Sequence, residues 1–469
     1  MLPETPQSAA ALGILRKLRE VGYEACLAGG CVRDLLLGRI PKDYDVATSA
    51  TPDIVLDLFP RTFAVGAHFG VVLVSAEVDG EATLTEVATF RSDGAYSDGR
   101  HPDAVRYTLS AEEDVRRRDF TINGLLLNGL LLDPIADGGG TPDLRSRVMD
   151  YVGGLGDLDA GVIRAIGDPV RRFEEDHLRM LRAVRFAARF DFSIDPATLA
   201  AMRALAVKIE AVSRERVRDE LTCMLTEGHA RRAFELLDQS GLLAQVLPEA
   251  SRLRGVEQPP QYHPEGDVWV HTLMLLEQLE AGVSMTLAWG ALLHDIGKPA
   301  TFQAPSGPGD RIRFNGHVEI GVSIAADICR RLRFSNDETA QILALVQNHM
   351  RFADTPRMKA ATLKRFFRLE RFPEHLALHR MDCMASSGNL DHYEFARERY
   401  EAMPAEEVRP QPLLTGRELI AVGYKPGEAF KAMLHAVEEA QLEGTIQTPD
   451  EAMELIRAQF PGPETAVGE

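Results

Sequence analysis

Two glycines, Gly29 and Gly30, stand between a strand-like run, YEACLA, and a helix-like run, CVRDLLLG. A turn from strand into helix presents bare backbone N–H groups and a helix N-terminus, and both hold phosphate oxygens. Asp43 and Asp45 follow, two residues apart. In an extended segment both side chains then point to one face. Two carboxylates on one face make a hard-oxygen site for Mg²⁺. A GG pair is usually only a turn, and a D-x-D pair is usually a solvated loop. Side by side, a phosphate cradle and a divalent-cation site are the minimal apparatus for moving a nucleotide.

Further along, DVRRRDFTINGL (114–125) sets Arg116, Arg117 and Arg118 before Asp119, with Asn123 four residues later. Guanidinium forks suit phosphate oxygens, and a nearby carboxylate and amide suit ribose hydroxyls. The same residues also read as a charged turn before a helix, capped by Asp119 or Thr121. In EEDHLRMLRAVRFAARF (174–190) the apolar spacing predicts a helix, which places Asp176 and Arg179 one turn apart on one face. A carboxylate accepts hydrogen bonds and a guanidinium only donates. Cytosine and adenine each offer an exocyclic amino group beside a bare ring nitrogen, so such a pair fits both. Uracil and guanine offer a carbonyl and a ring N–H there, and both contacts fail. The plainer alternative is a surface ion pair worth a few tenths of a kcal/mol.

A second constellation follows. His271 lies in DVWVHTLMLLEQL, His294 and Asp295 in ALLHDIGKPAT, and Asp382 in HRMDCMAS. The order His…His-Asp…Asp on helices is the signature of HD-domain metal phosphohydrolases. Imidazole and carboxylate donors suit transition metals such as Mn²⁺, Ni²⁺ or Co²⁺. His317 and His349 extend the set towards a second metal. The alternative is a retained fold whose site no longer turns over.

These residues need elements to position them. Residues 1–150 mix helices with strand-like runs, notably GVVLVSAEV and ATLTEVATF. SDGAYSDGRHPDAVR (92–106) reads as a mobile loop by composition, and DPIADGGGTPDL (133–144) as a turn-rich piece. From about residue 155 the pattern is helical, with a linker suggested near 407–414 by Pro410 and Pro412. At 469 residues, 45% hydrophobic and 26% charged, the chain is long enough for two to four globular domains. No apolar run approaches a membrane span, no secretory signal is evident, and the five scattered cysteines form neither a disulfide framework nor a zinc pattern. A cytoplasmic setting is expected. A net charge of −18 argues against indiscriminate nucleic-acid binding. Residues 171–232 nonetheless carry 13 Lys/Arg against 10 Asp/Glu, a local excess of three positive charges.

Taken in order, GGxVRD, DYD, TEVATFR, RRDFTIN, EEDxxRMLRAVRFAARF and ERVRDEL resemble a class II tRNA nucleotidyltransferase, the CCA-adding family related to bacterial poly(A) polymerases. The resemblance covers roughly residues 20–250, and the C-terminal part resembles the longer members. It implies an α+β fold: a DNA polymerase β-like palm over 1–152, then all-α domains. These are a neck and body over 153–255, an HD domain over 256–405 and a helical tail over 406–469. It implies that Asp43 and Asp45, with Glu86 as a third carboxylate, bind the catalytic Mg²⁺. It implies that Gly29, Gly30 and Arg33 hold the triphosphate, and that Arg118, Asp119 and Asn123 contact phosphate and ribose. Asp176 and Arg179 would read the base, while Arg182, Arg185 and the basic face of Arg214, Arg216 and Arg218 line or support the pocket. The implied partners are tRNA, CTP and ATP, with no membrane. The HD domain of such relatives suggests 2′,3′-cyclic phosphodiesterase or phosphatase activity on RNA ends. Alternative readings are a poly(A) polymerase, an enzyme adding only CC or only A, and an HD phosphohydrolase with a non-catalytic RNA-binding half. The stretch FAVGAHFGVVLV and an intact SDGAYSDGRHPD favour full CCA addition.

Overall fold

The computed structural model describes residues 2–64, 70–78, 80–94, 105–128 and 143–460. The loop expected over 92–106 and the turn-rich piece over 133–144 lie largely outside these residues, as does part of FAVGAHFGVVLV. The chain divides into two compact units, Met1–Pro248 and Glu249–Glu469.

The first unit is built on a seven-stranded sheet. Its strands are β1 (Ala25–Ala28), β2 (Asp45–Thr48), β3 (Thr62–Phe63), β4 (Val71–Val78), β5 (Glu81–Thr89), β8 (Leu125–Leu127) and β9 (Val148–Asp150), with β6 (Arg91–Asp93) and β7 (Val105–Tyr107) forming a separate pair. The order across the sheet is β3-β4-β5-β2-β1-β8-β9. β1 runs antiparallel to β2 and β8, whereas β2 runs parallel to β5 with Val46 opposite Val87. The strand reading of GVVLVSAEV and ATLTEVATF holds: they are the two arms of the β4–β5 ladder. The helix Pro6–Glu20 opens on a Thr5/Ser8 capping box and buries Ala11, Ile14, Leu15 and Leu18. Below the sheet Cys26, Ala28, Ala47, Phe90, Val115 and Leu126 share one apolar cluster. Burial pushes the Cys26 and Cys31 thiols up to about 12, so both behave as small core residues.

The helical part of the unit departs from expectation at one point. Residues 174–190 are not one helix but the end of Pro169–Glu175 and the whole of Leu178–Phe190. Between them Asp176 is extended (φ −149°, ψ 106°), and its carboxylate accepts the Leu178 N–H at 3.1 Å. Aspartate competes for backbone donors as a cap, and here capping prevails over continuation. The second helix buries Leu181, Val184 and Ala188 and presents Arg182, Arg185 and Arg189.

The second unit is helical. Val268–Glu277, Met285–Leu293, His317–Arg331, Asn336–Asn348 and Phe372–Ala385 carry the histidines and aspartates of the second constellation or pack around them. Phe352, Phe366, Phe367 and Phe372 form an aromatic cluster beside them. The tail has its own core of Leu419, Tyr424, Met433, Val437, Ala452 and Ile456. The segment expected as a linker is pinned, with the Arg409 guanidinium donating to the Arg368 carbonyl at 2.9 Å.

Candidate functional site

Gly29 is the turn between β1 and the helix Gly30–Leu36, at φ 71° and ψ −128°. That backbone region is open to glycine and closed to residues with a Cβ. Its N–H donates to the Leu125 carbonyl at 3.1 Å, which fixes the elbow to β8. A Cβ built on Gly29 would meet the Arg118 Nη1 at 3.0 Å, so that guanidinium lies directly over the turn.

Beside the elbow β2 begins at Asp45. Tyr44 is buried, while Asp43, just before the strand, is exposed and close enough for its charge to act on the Asp45 carboxyl. The parallel register Val46–Val87 seats Asp45 next to Glu86 on β5. Burial, then the Glu86 charge, pushes the Asp45 carboxyl up to about 6, with Asp43 adding and Arg118 opposing. Crowded carboxylates whose charge is penalised are the electrostatic setting in which a divalent cation is favoured.

The arginines expected at the phosphates have protein partners. Arg33 is buried, donates from Nη2 and Nε to Asp34 Oδ1 (2.7 and 2.9 Å) and from Nη1 to Asn123 Oδ1 (2.6 Å), and lies over the Phe190 ring. Arg117 and Arg118 both close on Asp114, at 2.6 and 3.0 Å. Sequence reasoning missed Asp114, whose one visible signal was its place three and four residues before two arginines. Burial pushes Asp119 up, but Arg182 at 2.8 Å and the Asn123 amide at 3.0 Å outweigh it and hold the carboxyl down to about 2.

The helical placement of Asp176 and Arg179 is corrected. Asp176 and Arg179 do not share a continuous helical face. The Asp176 carboxylate binds Arg216, at 2.8 and 3.3 Å. Arg179 binds Glu175 at 2.6 Å and the Arg172 carbonyl at 3.0 Å. Arg216, expected only as part of a basic face, is thus a direct partner of the aspartate, while Arg218 pairs with Asp219.

Around these groups runs a closed circuit. Arg33 holds Asp34, which faces Arg189 at 3.9 Å; Arg189 and Arg185 both face Glu227 at 3.7 Å. Arg185 binds Glu220 at 2.7 Å, Glu220 faces Arg182 at 3.9 Å, and Arg182 returns through Asp119 and Asn123 to Arg33. Helices Leu178–Phe190 and Arg214–Thr226 are thereby tied to the elbow.

In the second unit every expected ligand converges. His271, His294 and Asp382 form one group and Asp295, His317 and His349 another, each with donor atoms within 4.8 Å of one another. Asp295 spans both. Its Oδ2 lies 3.1 Å from His294 Nε2, and its Oδ1 lies 3.8 and 3.7 Å from His317 and His349 Nε2. The Nδ1 atoms of His294, His317 and His349 sit 2.7–2.9 Å from backbone carbonyls. Carbonyls only accept, so Nδ1 carries the proton and Nε2 turns its lone pair to the cluster. The buried Nε2 atoms of His317 and His349 have no hydrogen-bond partner among the described residues, as metal-ligating nitrogens require.

Burial pulls His271 down, but hydrogen bonds that the ring donates to Asp382 at 3.1 Å and Glu265 at 2.8 Å reverse it and lift the ring to about 9. Lys298 and His294 hold Asp295 well below the usual range against burial. Glu265, His263 and Gln258 were not anticipated. Glu265 lies in the loop before the His271 helix and bridges His263 and His271, and Gln258 accepts from Lys298 at 2.6 Å.

A polymerase-type head carrying clustered carboxylates, joined to a helical HD domain, defines the class. Family descriptions agree: "Poly A polymerase head domain" matches residues 25–164, "Probable RNA and SrmB- binding site of polymerase A" matches 191–253, and "HD domain" matches 268–407. The chain is 32% identical over 454 residues to a CCA-adding enzyme of Limosilactobacillus fermentum, covering 95% of this chain and 96% of that one. It belongs to the CCA-adding enzyme family. Its match to the Geobacillus thermodenitrificans CCA-adding enzyme is 41% identical over 50% of this chain and 54% of that relative. The alignments thus span about half to two thirds of the Geobacillus and Lactobacillus johnsonii relatives (54% and 65%). The crystal structure of the Bacillus stearothermophilus CCA-adding enzyme in complex with CTP superposes with a TM-score of 0.69 at 28% identity, covering 97% and 98% of the two chains. Among the described residues, no helix is long and apolar enough to cross a membrane.

Proposed function

We propose that this chain adds C, C and A, without a template, to the 3′ end of tRNA, using CTP and ATP and releasing pyrophosphate in the cytoplasm. The observation that carries the reading is Asp45 seated beside Glu86 on parallel strands, next to the glycine elbow. Asp43, Asp45 and Glu86 would hold Mg²⁺, which when bound neutralises triphosphate charge and eases deprotonation of the attacking hydroxyl. The chain's own residues supply position. Gly29 and Gly30 put no side chain at the elbow, Arg118 overhangs it, and Asp119 and Asn123 would offer a carboxylate and an amide to the ribose on exchanging their present partners Arg182 and Arg33. The tRNA 3′-hydroxyl attacks the α-phosphorus, the α–β bridging bond breaks, and pyrophosphate departs.

Choice of base falls to Asp176 and Arg179. The Asp176 carboxylate accepts from the amino group of C or A, and Arg179 donates to the neighbouring ring nitrogen. Arg179 must first exchange its partner Glu175, whereas the Asp176 carboxylate has lone pairs enough to accept from the base with Arg216 still bound. The Limosilactobacillus and Bacillus relatives, named as CCA-adding enzymes, support the reading of the reaction as CCA addition.

The HD unit has a donor set for two divalent ions, and Mn²⁺, Ni²⁺ or Co²⁺ suits it. With it we propose hydrolysis of phosphate esters at RNA ends, including 2′,3′-cyclic phosphates. Water opening the cyclic ester at its P–O3′ bond would free the 3′-hydroxyl and leave the phosphate on O2′, and a second hydrolysis would release that phosphate, leaving an end the transferase can extend.

The test gives purified protein a tRNA lacking its last three nucleotides, with CTP, ATP or both. Extension by three only with both nucleotides supports the reading. Long A-tails, or a halt after two, replaces it with a poly(A) or CC-only activity.

A further inference from the structure

Three of the four histidines in the two metal groups rest on the backbone: the Nδ1 atoms of His294, His317 and His349 face the carbonyls of Ala291, Phe314 and Val346. His271 differs. Its Nδ1 lies 2.8 Å from Glu265 Oε1, and both side chains are buried, at 0% and 4% exposed. A carboxylate only accepts, so Nδ1 carries a proton and Nε2 is the nitrogen turned to His294 and Asp382, at 3.3 and 3.1 Å. The same Oε1 accepts from His263 Nδ1 at 2.9 Å, and the buried Oε2 has no hydrogen-bond partner among the described residues. The chain on the far side of Glu265 is pinned. Gly266 turns at φ 111°, which favours glycine. Asp267 then accepts the Val270 N–H at 2.8 Å, capping the His271 helix, and the Gly255 N–H at 2.7 Å.

The two ligand groups are unequal in charge. His271, His294 and Asp382 make one, and Asp295, His317 and His349 the other. Asp295 Oδ2, the oxygen beside His294, is also taken by Lys298 at 2.7 Å. The first group therefore relies for negative charge on Asp382 and on the carboxylate behind His271, whereas both imidazoles of the second group rest on neutral carbonyls. A carboxylate behind a ligating imidazole fixes its tautomer and raises its strength as a donor, and a charged acceptor does so more than a neutral one.

We propose that Glu265 is a positioning residue of this centre and that it makes the two cation positions unequal, so that the position at His271, His294 and Asp382 fills first. The proposal rests on the reading of the cluster as a two-metal centre. Glu265 itself faces away from the cations. It holds the His271 ring by Nδ1, which keeps Nε2 for the metal, and its charge strengthens that nitrogen as a donor.

The test titrates the full, metal-free chain with Mn²⁺ and follows binding by calorimetry and by loss of the electron spin resonance signal of free Mn²⁺. The unaltered protein should show two events with Kd values at least about tenfold apart. His271→Ala should strike the tighter event harder than His349→Ala does. Glu265→Ala should weaken the tighter event about 10- to 100-fold and move the weaker one less than about twofold. Glu265→Gln, which keeps an acceptor for Nδ1 and loses the charge, should weaken the tighter event by a smaller factor. If Glu265→Ala does not fold, Glu265→Gln decides: selective weakening of the tighter event supports the proposal, and unchanged binding refutes it. A single event or two equal events in the unaltered protein, or Glu265 variants that lose both events alike, also overturn it while leaving metal binding intact. Binding of no Mn²⁺ by the unaltered protein refutes the two-metal reading, and the proposal with it.

Discussion

Arg216 reaches from the helix Arg214–Thr226 to grasp the Asp176 carboxylate at 2.8 Å, while Arg179, three residues from that carboxylate, is turned to Glu175. The two side chains expected to read a base are thus each engaged by a partner of their own.

Arg216 consequently positions Asp176. Asp176→Asn replaces an acceptor-only group by an amide that can also donate, so UTP should gain on CTP by about 10- to 100-fold in kcat/KM. Arg216→Ala should raise KM for CTP and ATP several-fold with a smaller change in kcat. Steady-state kinetics with each NTP on truncated tRNA check both.

The raised Asp45 carboxyl sets an acid limit. Its value in the metal-free fold, about 6, lies above the ordinary 3.8. Below pH 6 protons therefore compete with the cation, whereas an ordinary aspartate would resist until near pH 4. The Mg²⁺ concentration for half-maximal nucleotide transfer should climb about tenfold per pH unit below 6, as measured by Mg²⁺ titration at stepped pH.

Asp119 acts in the opposite direction. Its folded value, about 2, lies below the ordinary 3.8. Its contribution, about 2 kcal/mol, is present above pH 4 and is lost as pH falls towards 2. Asp119→Ala leaves Arg182 and Asn123 without that partner, and should lower Tm at pH 7 and flatten the acid limb of the stability curve. Thermal melts between pH 2 and 7 test this.

Metal uptake by the second unit should release a proton. His271 is held protonated up to about pH 9 by Asp382 and Glu265. A cation on Nε2 displaces that proton, so at pH 7.5 calorimetric enthalpies of Mn²⁺ binding should vary with buffer ionisation enthalpy. His271→Ala should remove the dependence.

Gly297 closes the same site from behind. A Cβ there would fall 2.1 Å from the His317 carbonyl and 2.6 Å from the Gly321 N–H. Gly297→Ala must push the His317 helix away. It should weaken Mn²⁺ binding at least tenfold, while nucleotide transfer by the first unit, which contains none of these residues, continues.

The parts legible in the chain were those fixed locally. The elbow at Gly29 follows from a glycine pair between two opposite propensities, and the β4–β5 ladder from the β-branched, alternating runs on either side of Gly80. The HD ligands declared themselves by residue type on apolar helices. What stayed hidden depends on distant partners. Asp114, Arg216 and Glu265 acquire their roles only when packing brings them to Arg118, Asp176 and His271. The break at Asp176 was hidden for another reason: the apolar period continues through it, and only the capping bond to Leu178 shows that the helix does not.

The most direct measurement is single-turnover incorporation of labelled AMP into tRNA ending in CC, at saturating Mg²⁺, by the unaltered protein and by Asp45→Asn. Loss of roughly a thousandfold in rate with tRNA binding retained is expected if Asp45 and its neighbours carry the transfer. An Asp45→Asn protein that keeps more than a tenth of the rate contradicts it.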